Sequence, residues 1–142
     1  FNTSRYFLKH ASETKKGSLV LIGSTAGIYG EAGHADYAAA KGAITSGLLR
    51  TLKNDAALIG NGVRVNAIAP GWTVSQKRID EGLDQKRVER ITSTMSLKKL
   101  GKPEDVANSA IMLASDSLSG HITGQVIEIA GGMEGRQIAG TE

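Results

Sequence analysis

Three short apolar segments separated by helical segments limit this chain to a small number of folds. Residues 18–24 (SLVLIGS) and 63–69 (VRVNAIA) are rich in leucine, valine and isoleucine, which is typical of strands buried on both faces. A third such segment, GQVIEIAGG, follows near the end of the chain. Since consecutive parallel strands need a long, usually helical crossover, this order predicts a parallel sheet with helices on both faces.

The segments between the strands carry the apolar spacing of helices. From Ala35 to Ile59, apolar residues recur every four positions (Ile44, Leu48, Leu52 and Ala56), which predicts one long amphipathic helix. A shorter helix is expected from about Asp84 to Ser93. A further helix begins in KPEDVANSAIMLAS, where proline occupies a first-turn position and two acidic residues follow it. The predicted fold class is therefore α/β, with the last three strands of a doubly wound parallel sheet and their flanking helices.

Composition narrows the classes of function. The 142 residues are 40% hydrophobic and 22% charged, which suits one globular domain. Its basic runs, QKRVER and LKKLGK, have no interleaved aromatic residues, so we expect no nucleic-acid partner. No apolar run reaches the length of a spanning helix, so we expect no membrane partner and a cytoplasmic location. Without cysteine there is no disulfide framework, and three dispersed histidines predict no metal site.

The stretch GSTAGIYGEAGHADYAAAK contains the residues with the clearest chemistry. Tyr37 and Lys41 are four residues apart, so they share one face of the predicted helix. Ser24 ends the first predicted strand, and residues 70–75 follow the second. Reactive sites of such sheets lie beyond the carboxyl ends of the strands. Each residue alone would suit a cap, a surface tyrosine or a solvated lysine, but together they predict a catalytic site.

Four motifs in order resemble one enzyme family. They are GSTAG, YAAAK, VRVNAIAPG, and LGKPEDVANSAIMLASD followed by ITGQVIEIAGG. The chain resembles the carboxyl-terminal half of a short-chain dehydrogenase/reductase with a single Rossmann-type domain. The family's glycine-rich pyrophosphate-binding turn has no match here. We therefore expect residues 1–142 to be the carboxyl-terminal part of one Rossmann-type oxidoreductase domain, with the amino-terminal nucleotide-binding part absent from the chain.

The resemblance implies a reaction and a role for each residue of the predicted site. It implies hydride transfer between NAD or NADP and a small-molecule carbonyl or secondary alcohol. Tyr37 would be the proton donor or acceptor, and Ser24 would polarise the substrate oxygen. Lys41 would lower the pKa of Tyr37, which is ordinarily about 10, and would bind the nicotinamide ribose together with it.

The loop after the second predicted strand is expected to complete the site. Pro70, Gly71, Thr73 and Ser75 match the family's P-G-x-x-x-T segment, which holds the nicotinamide carboxamide, with Ser75 in place of the usual threonine. Trp72 either contacts the substrate or only fills the loop. Residues 74–97 correspond to the family's variable substrate lid, so the substrate stays open. The choice between NAD and NADP also stays open, because in the family it depends on residues after the second strand, which have no match here.

Two further expectations concern assembly. The helix of Tyr37 and the amino-terminal segment FNTSRYFLKHA resemble the two helices that family members pair across a two-fold axis, which implies a homodimer or homotetramer. The alternative function is that of a truncated, non-catalytic family member serving as an assembly partner or scaffold. The intact set of Ser24, Tyr37 and Lys41 favours the enzyme.

Overall fold

The computed structural model describes residues 1–133 and contains the parallel sheet that the sequence predicts. Strands β1 (Lys16–Ile22), β2 (Gly62–Pro70) and β3 (Val126–Ile129) lie in the order β1-β2-β3, and both neighbouring pairs are parallel. Leu19 lies opposite Val65, and Ile68 lies opposite Ile127. The α/β fold class is confirmed, while residues 134–142 of the predicted domain lie outside the described residues.

Strand β2 is the centre of the sheet, and its residues 63–69 are all buried. Strand β1 begins and ends two residues earlier than the sequence boundary, so Ser24 lies just beyond its end. Backbone hydrogen bonds nevertheless continue past the strand, because the Gly23 amide donates to the Ile68 carbonyl at 2.7 Å and the Thr25 amide to the Pro70 carbonyl at 3.0 Å. Ser24 is thus held between two anchored neighbours.

Eight α-helices surround the sheet within residues 1–133. They are α1 (Asn2–Thr14), α2 (Ala26–Tyr29), α3 (Ala35–Ala43), α4 (Leu49–Ile59), α5 (Gln76–Asp80), α6 (Gln85–Ser93), α7 (Pro103–Ala114) and α8 (Asp116–Ser119). The sequence predicted α6 and α7 to within a residue or two. It did not predict α2, α5 and α8, because helices of four or five residues are too short to show periodicity. No helix in this range combines the length and apolarity needed to cross a bilayer.

The long helix predicted from Ala35 to Ile59 contains a π-helical turn. Ile44–Leu48 forms this turn between α3 and α4, and the three segments run without a break. Within it the Thr45 hydroxyl donates to the Lys41 carbonyl at 3.1 Å. Such bonds from Thr to the preceding turn distort helices, and π turns are frequent at functional sites. The expectation of one regular α-helix is corrected to that extent.

The core lies on both faces of β2. On one face, β2 packs against α4 and α1, with buried residues Ala11, Leu49, Leu52, Ala56, Val63, Val65 and Ala67. On the other, α7 is held by side chains of the strands. The Ser18 hydroxyl donates to the Leu113 carbonyl at 2.8 Å. Arg64, only 4% exposed, donates to the same carbonyl at 2.9 Å and to the Ser119 hydroxyl at 3.0 Å.

Candidate active site

A cavity of about 500 Å³ lies beyond the carboxyl ends of β1 and β2. Five of the predicted site residues line it: Ser24, Tyr37, Gly71, Trp72 and Thr73. They come from three separate segments: the end of β1, the first turns of α3 and the loop after β2. Such convergence of polar groups on a cavity is expected at the open edge of a parallel sheet.

Ser24 is held in a fixed position at the inner wall of the cavity. It is 9% exposed, and its Oγ accepts a hydrogen bond from the Ala26 amide at 3.2 Å. A hydroxyl has one hydrogen and two lone pairs, so this bond leaves the Ser24 hydrogen able to donate. Ser24 can therefore bond to an oxygen atom of a molecule in the cavity.

Tyr37 and Lys41 lie one turn apart on α3, as their spacing predicts. The Lys41 ammonium is 5.6 Å from the centre of the Tyr37 ring and donates to the Ile22 carbonyl at 3.0 Å. Tyr37 is 44% exposed and faces the cavity, whereas Lys41 is not among the residues that line it. The distance from the ammonium to the ring is in the range of a cation–π contact.

Two glycines bring α2 and α3 into backbone contact. A Cβ atom added to Gly27 would lie 2.4 Å from the Lys41 carbonyl carbon and 2.5 Å from the Gly42 nitrogen. One added to Gly42 would lie 3.0 Å from the Gly27 carbonyl oxygen. No other residue type fits at Gly27 without moving backbone, so this contact fixes the position of Ser24 relative to Tyr37.

Only some of the predicted site residues in the loop after β2 line the cavity. The Gly71 amide donates to the Ile129 carbonyl at 3.0 Å, and the Thr73 hydroxyl donates to the Gly71 carbonyl at 3.2 Å. Pro70 and Ser75 are outside the cavity lining. Pro70 ends β2, and Ser75 is the residue before α5, where its side chain makes no capping bond.

Other residues of the cavity wall were not predicted as site residues. Tyr29, Glu31 and His34 come from the segment between Ser24 and the α3 helix. The His34 Nδ1 lies 3.8 Å from a Glu31 carboxylate oxygen. The sequence did offer one signal for these three residues, since they all lie between Ser24 and Tyr37. Thr94 also lines the cavity. It belongs to the predicted lid, but no sequence pattern singled it out as a residue of this site.

Comparison with known proteins identifies the family. The family model described as enoyl-(acyl carrier protein) reductase matches residues 1–134. The chain belongs to the short-chain dehydrogenase/reductase family. It is 38% identical over 133 residues to the 3-oxoacyl-[acyl-carrier-protein] reductase FabG of Thermotoga maritima, covering 94% of this chain and 52% of that protein. It is 36% identical over 118 residues to human (3R)-3-hydroxyacyl-CoA dehydrogenase, covering 83% and 43%.

Solved structures of this family superpose closely on the chain. ElxO with NADP bound has a TM-score of 0.81 at 30% identity, covering 93% of this chain and 52% of that one. A 3-oxoacyl-[acyl-carrier protein] reductase from Brucella melitensis has a TM-score of 0.83 at 30% identity, covering 94% and 48%. The short-chain dehydrogenase/reductase chain described here thus spans about half the length of the relatives it matches.

Proposed function

We propose that the protein containing this chain is an NADP(H)-dependent reductase that converts the ketone of a 3-oxoacyl thioester to a secondary alcohol. The observation that carries the proposal is the single cavity onto which Ser24 and Tyr37 converge, with the Lys41 ammonium 5.6 Å from the Tyr37 ring. The cofactor is proposed because NADP is bound in a similar structure. The substrate class is proposed from the names of the bacterial relatives.

The chain supplies the acid and the polarising group for this reaction. Bound nicotinamide supplies the hydride. Ser24 donates a hydrogen bond to the ketone oxygen and stabilises the negative charge that develops there. Tyr37 transfers its proton to that oxygen, which completes the alcohol. Lys41 stabilises the resulting tyrosinate until a proton from solvent restores the phenol. In the oxidative direction, Tyr37 accepts the proton.

The donors of the site suit the nicotinamide end of the cofactor. Tyr37 and Lys41 offer a hydroxyl and an ammonium for ribose hydroxyls. Thr73 offers a hydroxyl at the cavity wall beside Gly71, which suits a carboxamide. For Pro70 and Ser75 we propose a supporting role, since both flank this segment without lining the cavity. Trp72, part of the same wall, is proposed to contact the substrate.

We further propose that the protein is a homo-oligomer. Two of the helices expected at such an interface expose large apolar side chains: Tyr6 of α1 is 73% exposed and Leu58 of α4 is 88% exposed. Surfaces of this kind are stabilised when a second copy covers them. We also propose that residues 1–142 form the carboxyl-terminal part of one oxidoreductase domain.

The test is a reduction assay on the whole protein. Acetoacetyl-pantetheine is mixed with NADPH or with NADH, and both cofactor oxidation and the 3-hydroxyacyl product are measured. We expect equal amounts of oxidised cofactor and alcohol, with higher kcat/KM for NADPH. If no 3-oxoacyl thioester is reduced with either cofactor, the proposed function is wrong.

A further inference from the structure

Thr45 lies in the π-helical turn between α3 and α4 and is only 6% exposed. Its hydroxyl donates to the Lys41 carbonyl at 3.1 Å and, at the longer distance of 3.5 Å, to the Gly42 carbonyl. The first carbonyl belongs to the peptide group that joins Lys41 to Gly42. Gly27 packs against this same peptide group, as the Cβ contacts described above show. Thr45 and α2 therefore both hold one peptide group of α3.

The methyl group of Thr45 packs against the residue that precedes Ser24. Gly23 is buried, and a Cβ atom added to it would overlap the Thr45 Cγ2 methyl. The other atoms near that Cβ lie at ordinary contact distances, the closest being the Ile68 carbonyl oxygen at 3.4 Å. Gly23 is held in place, because its amide donates to the same Ile68 carbonyl at 2.7 Å. Thr45 thus sets how closely its turn packs on the chain beside Ser24.

We propose that Thr45 is a positioning residue that sets the place of Tyr37 and Lys41 relative to Ser24. It does not line the catalytic cavity, so it acts through the residues it contacts. Lys41 also reaches this stretch of chain with its side chain, since its ammonium donates to the Ile22 carbonyl at 3.0 Å. A shift of the Thr45 turn would therefore move the Lys41 backbone away from the partner of its ammonium. The inference rests on the proposed function for turnover, but not for affinity toward NADPH.

The first test removes the hydroxyl of Thr45 in the whole protein. Thr45→Val keeps the methyl group and the size of the side chain but leaves the Lys41 carbonyl without this bond. A misplacement of about 1 Å lowers a rate about 10²-fold, so half that displacement should lower it about tenfold. We expect kcat to fall about tenfold and the Kd for NADPH, measured by fluorescence titration, to rise.

Two further variants show whether the effect comes from position or from stability alone. Thr45→Ser keeps the hydroxyl, so it should return kcat and the Kd for NADPH most of the way to wild type. Ser109→Ala is the matched control, because it removes the same type of bond from α7, where the Ser109 hydroxyl donates to the Asp105 carbonyl at 3.1 Å. It should leave both quantities unchanged. All variants are assayed at a temperature at which each is folded.

The second test moves the methyl group from one side of the contact to the other. Gly23→Ala alone makes two methyl groups overlap, so kcat should fall about 100-fold and the Kd for NADPH should rise. In Gly23→Ala/Thr45→Ser the Cγ2 methyl is gone, and the new Cβ fits into its place. We expect this double variant to be at least about tenfold faster than Gly23→Ala. Such rescue is the coupling expected of residues in contact.

The tests separate the inference from the proposed function. The same pattern of NADPH affinities, in a protein that reduces no 3-oxoacyl thioester, would retain the role of Thr45 and overturn the proposed reaction. An active reductase in which Thr45→Val has the kcat and the Kd of Ser109→Ala would overturn the role of Thr45 and retain the reaction. A folded double variant no faster than a folded Gly23→Ala would also overturn it. Should Gly23→Ala not fold, Thr45→Val beside Thr45→Ser still decides the question.

Discussion

Replacing Gly27 by alanine should separate the two halves of the candidate active site. The new Cβ would lie 2.4 Å from the Lys41 carbonyl carbon, whereas ordinary contacts begin at 3.4 Å. The two nearest atoms of α3 are backbone, and the third, the Lys41 Cβ at 2.9 Å, is fixed by the backbone, so no side chain can turn away to make room. Helices α2 and α3 must therefore move apart by about 1 Å, which is the difference between these distances.

This displacement acts directly on the catalytic geometry. Ser24 is tied to α2 through its bond with the Ala26 amide, while Tyr37 and Lys41 lie on α3. A misplacement of about 1 Å can lower a rate by about 10²-fold. Overpacking of this kind also lowers the free energy of unfolding by about 1–3 kcal/mol. We expect a folded enzyme with kcat reduced about 100-fold.

The assay is single-turnover reduction with NADPH already bound, with the thermal midpoint measured on the same samples. Gly47→Ala is the matched control, because its Cβ would meet no atom within 4 Å. It should leave the rate unchanged and raise stability by about 0.5–1 kcal/mol, the usual helical preference for alanine over glycine. A folded Gly27→Ala protein with a rate within threefold of wild type would refute this reasoning.

Three other substitutions probe the site and its support. Ser24→Ala should lower kcat by about 10²-fold, as loss of one oxyanion donor does, and an unchanged steady-state kcat would contradict its role. Lys41→Met should lower kcat and also raise the Kd for NADPH, measured by fluorescence titration; an effect on only one of them would contradict the double role. Arg64→Met should lower the urea-derived free energy of unfolding by about 2–4 kcal/mol, through lost bonds to the Leu113 carbonyl and Ser119. A loss below about 1 kcal/mol would contradict that estimate.

The parts of the fold that follow from local patterns could be predicted from the sequence. A short segment rich in valine, alanine and isoleucine marks β2, and four-residue spacing marks α4, since each pattern reflects burial of that segment alone. The π turn at Ile44–Leu48 could not be predicted, because it depends on a side-chain bond from Thr45 and on the contacts around it. Arg64 lies inside an apolar strand pattern, and its burial depends on carbonyls about fifty residues away.

The candidate site, like the fold, could be predicted from the sequence only in part. The order of strands and helices predicted that Ser24, Tyr37 and Gly71 meet at one edge of the sheet, and they line one cavity. Trp72 was undecided between substrate contact and loop filling, since its role depends on Arg87 in a lid helix of irregular pattern.

The most direct test of the central claim is the turnover of Tyr37→Phe in the whole protein, beside its affinity for NADPH. Phenylalanine keeps the ring that faces the cavity and lies 5.6 Å from the Lys41 ammonium, but it has no proton to transfer. We predict that kcat falls by well over tenfold, while the Kd for NADPH rises less than it does in Lys41→Met, because Lys41 still holds the ribose. A Tyr37→Phe enzyme that keeps more than a tenth of wild-type kcat, equivalent to less than about 1.4 kcal/mol of barrier, would contradict proton transfer by Tyr37.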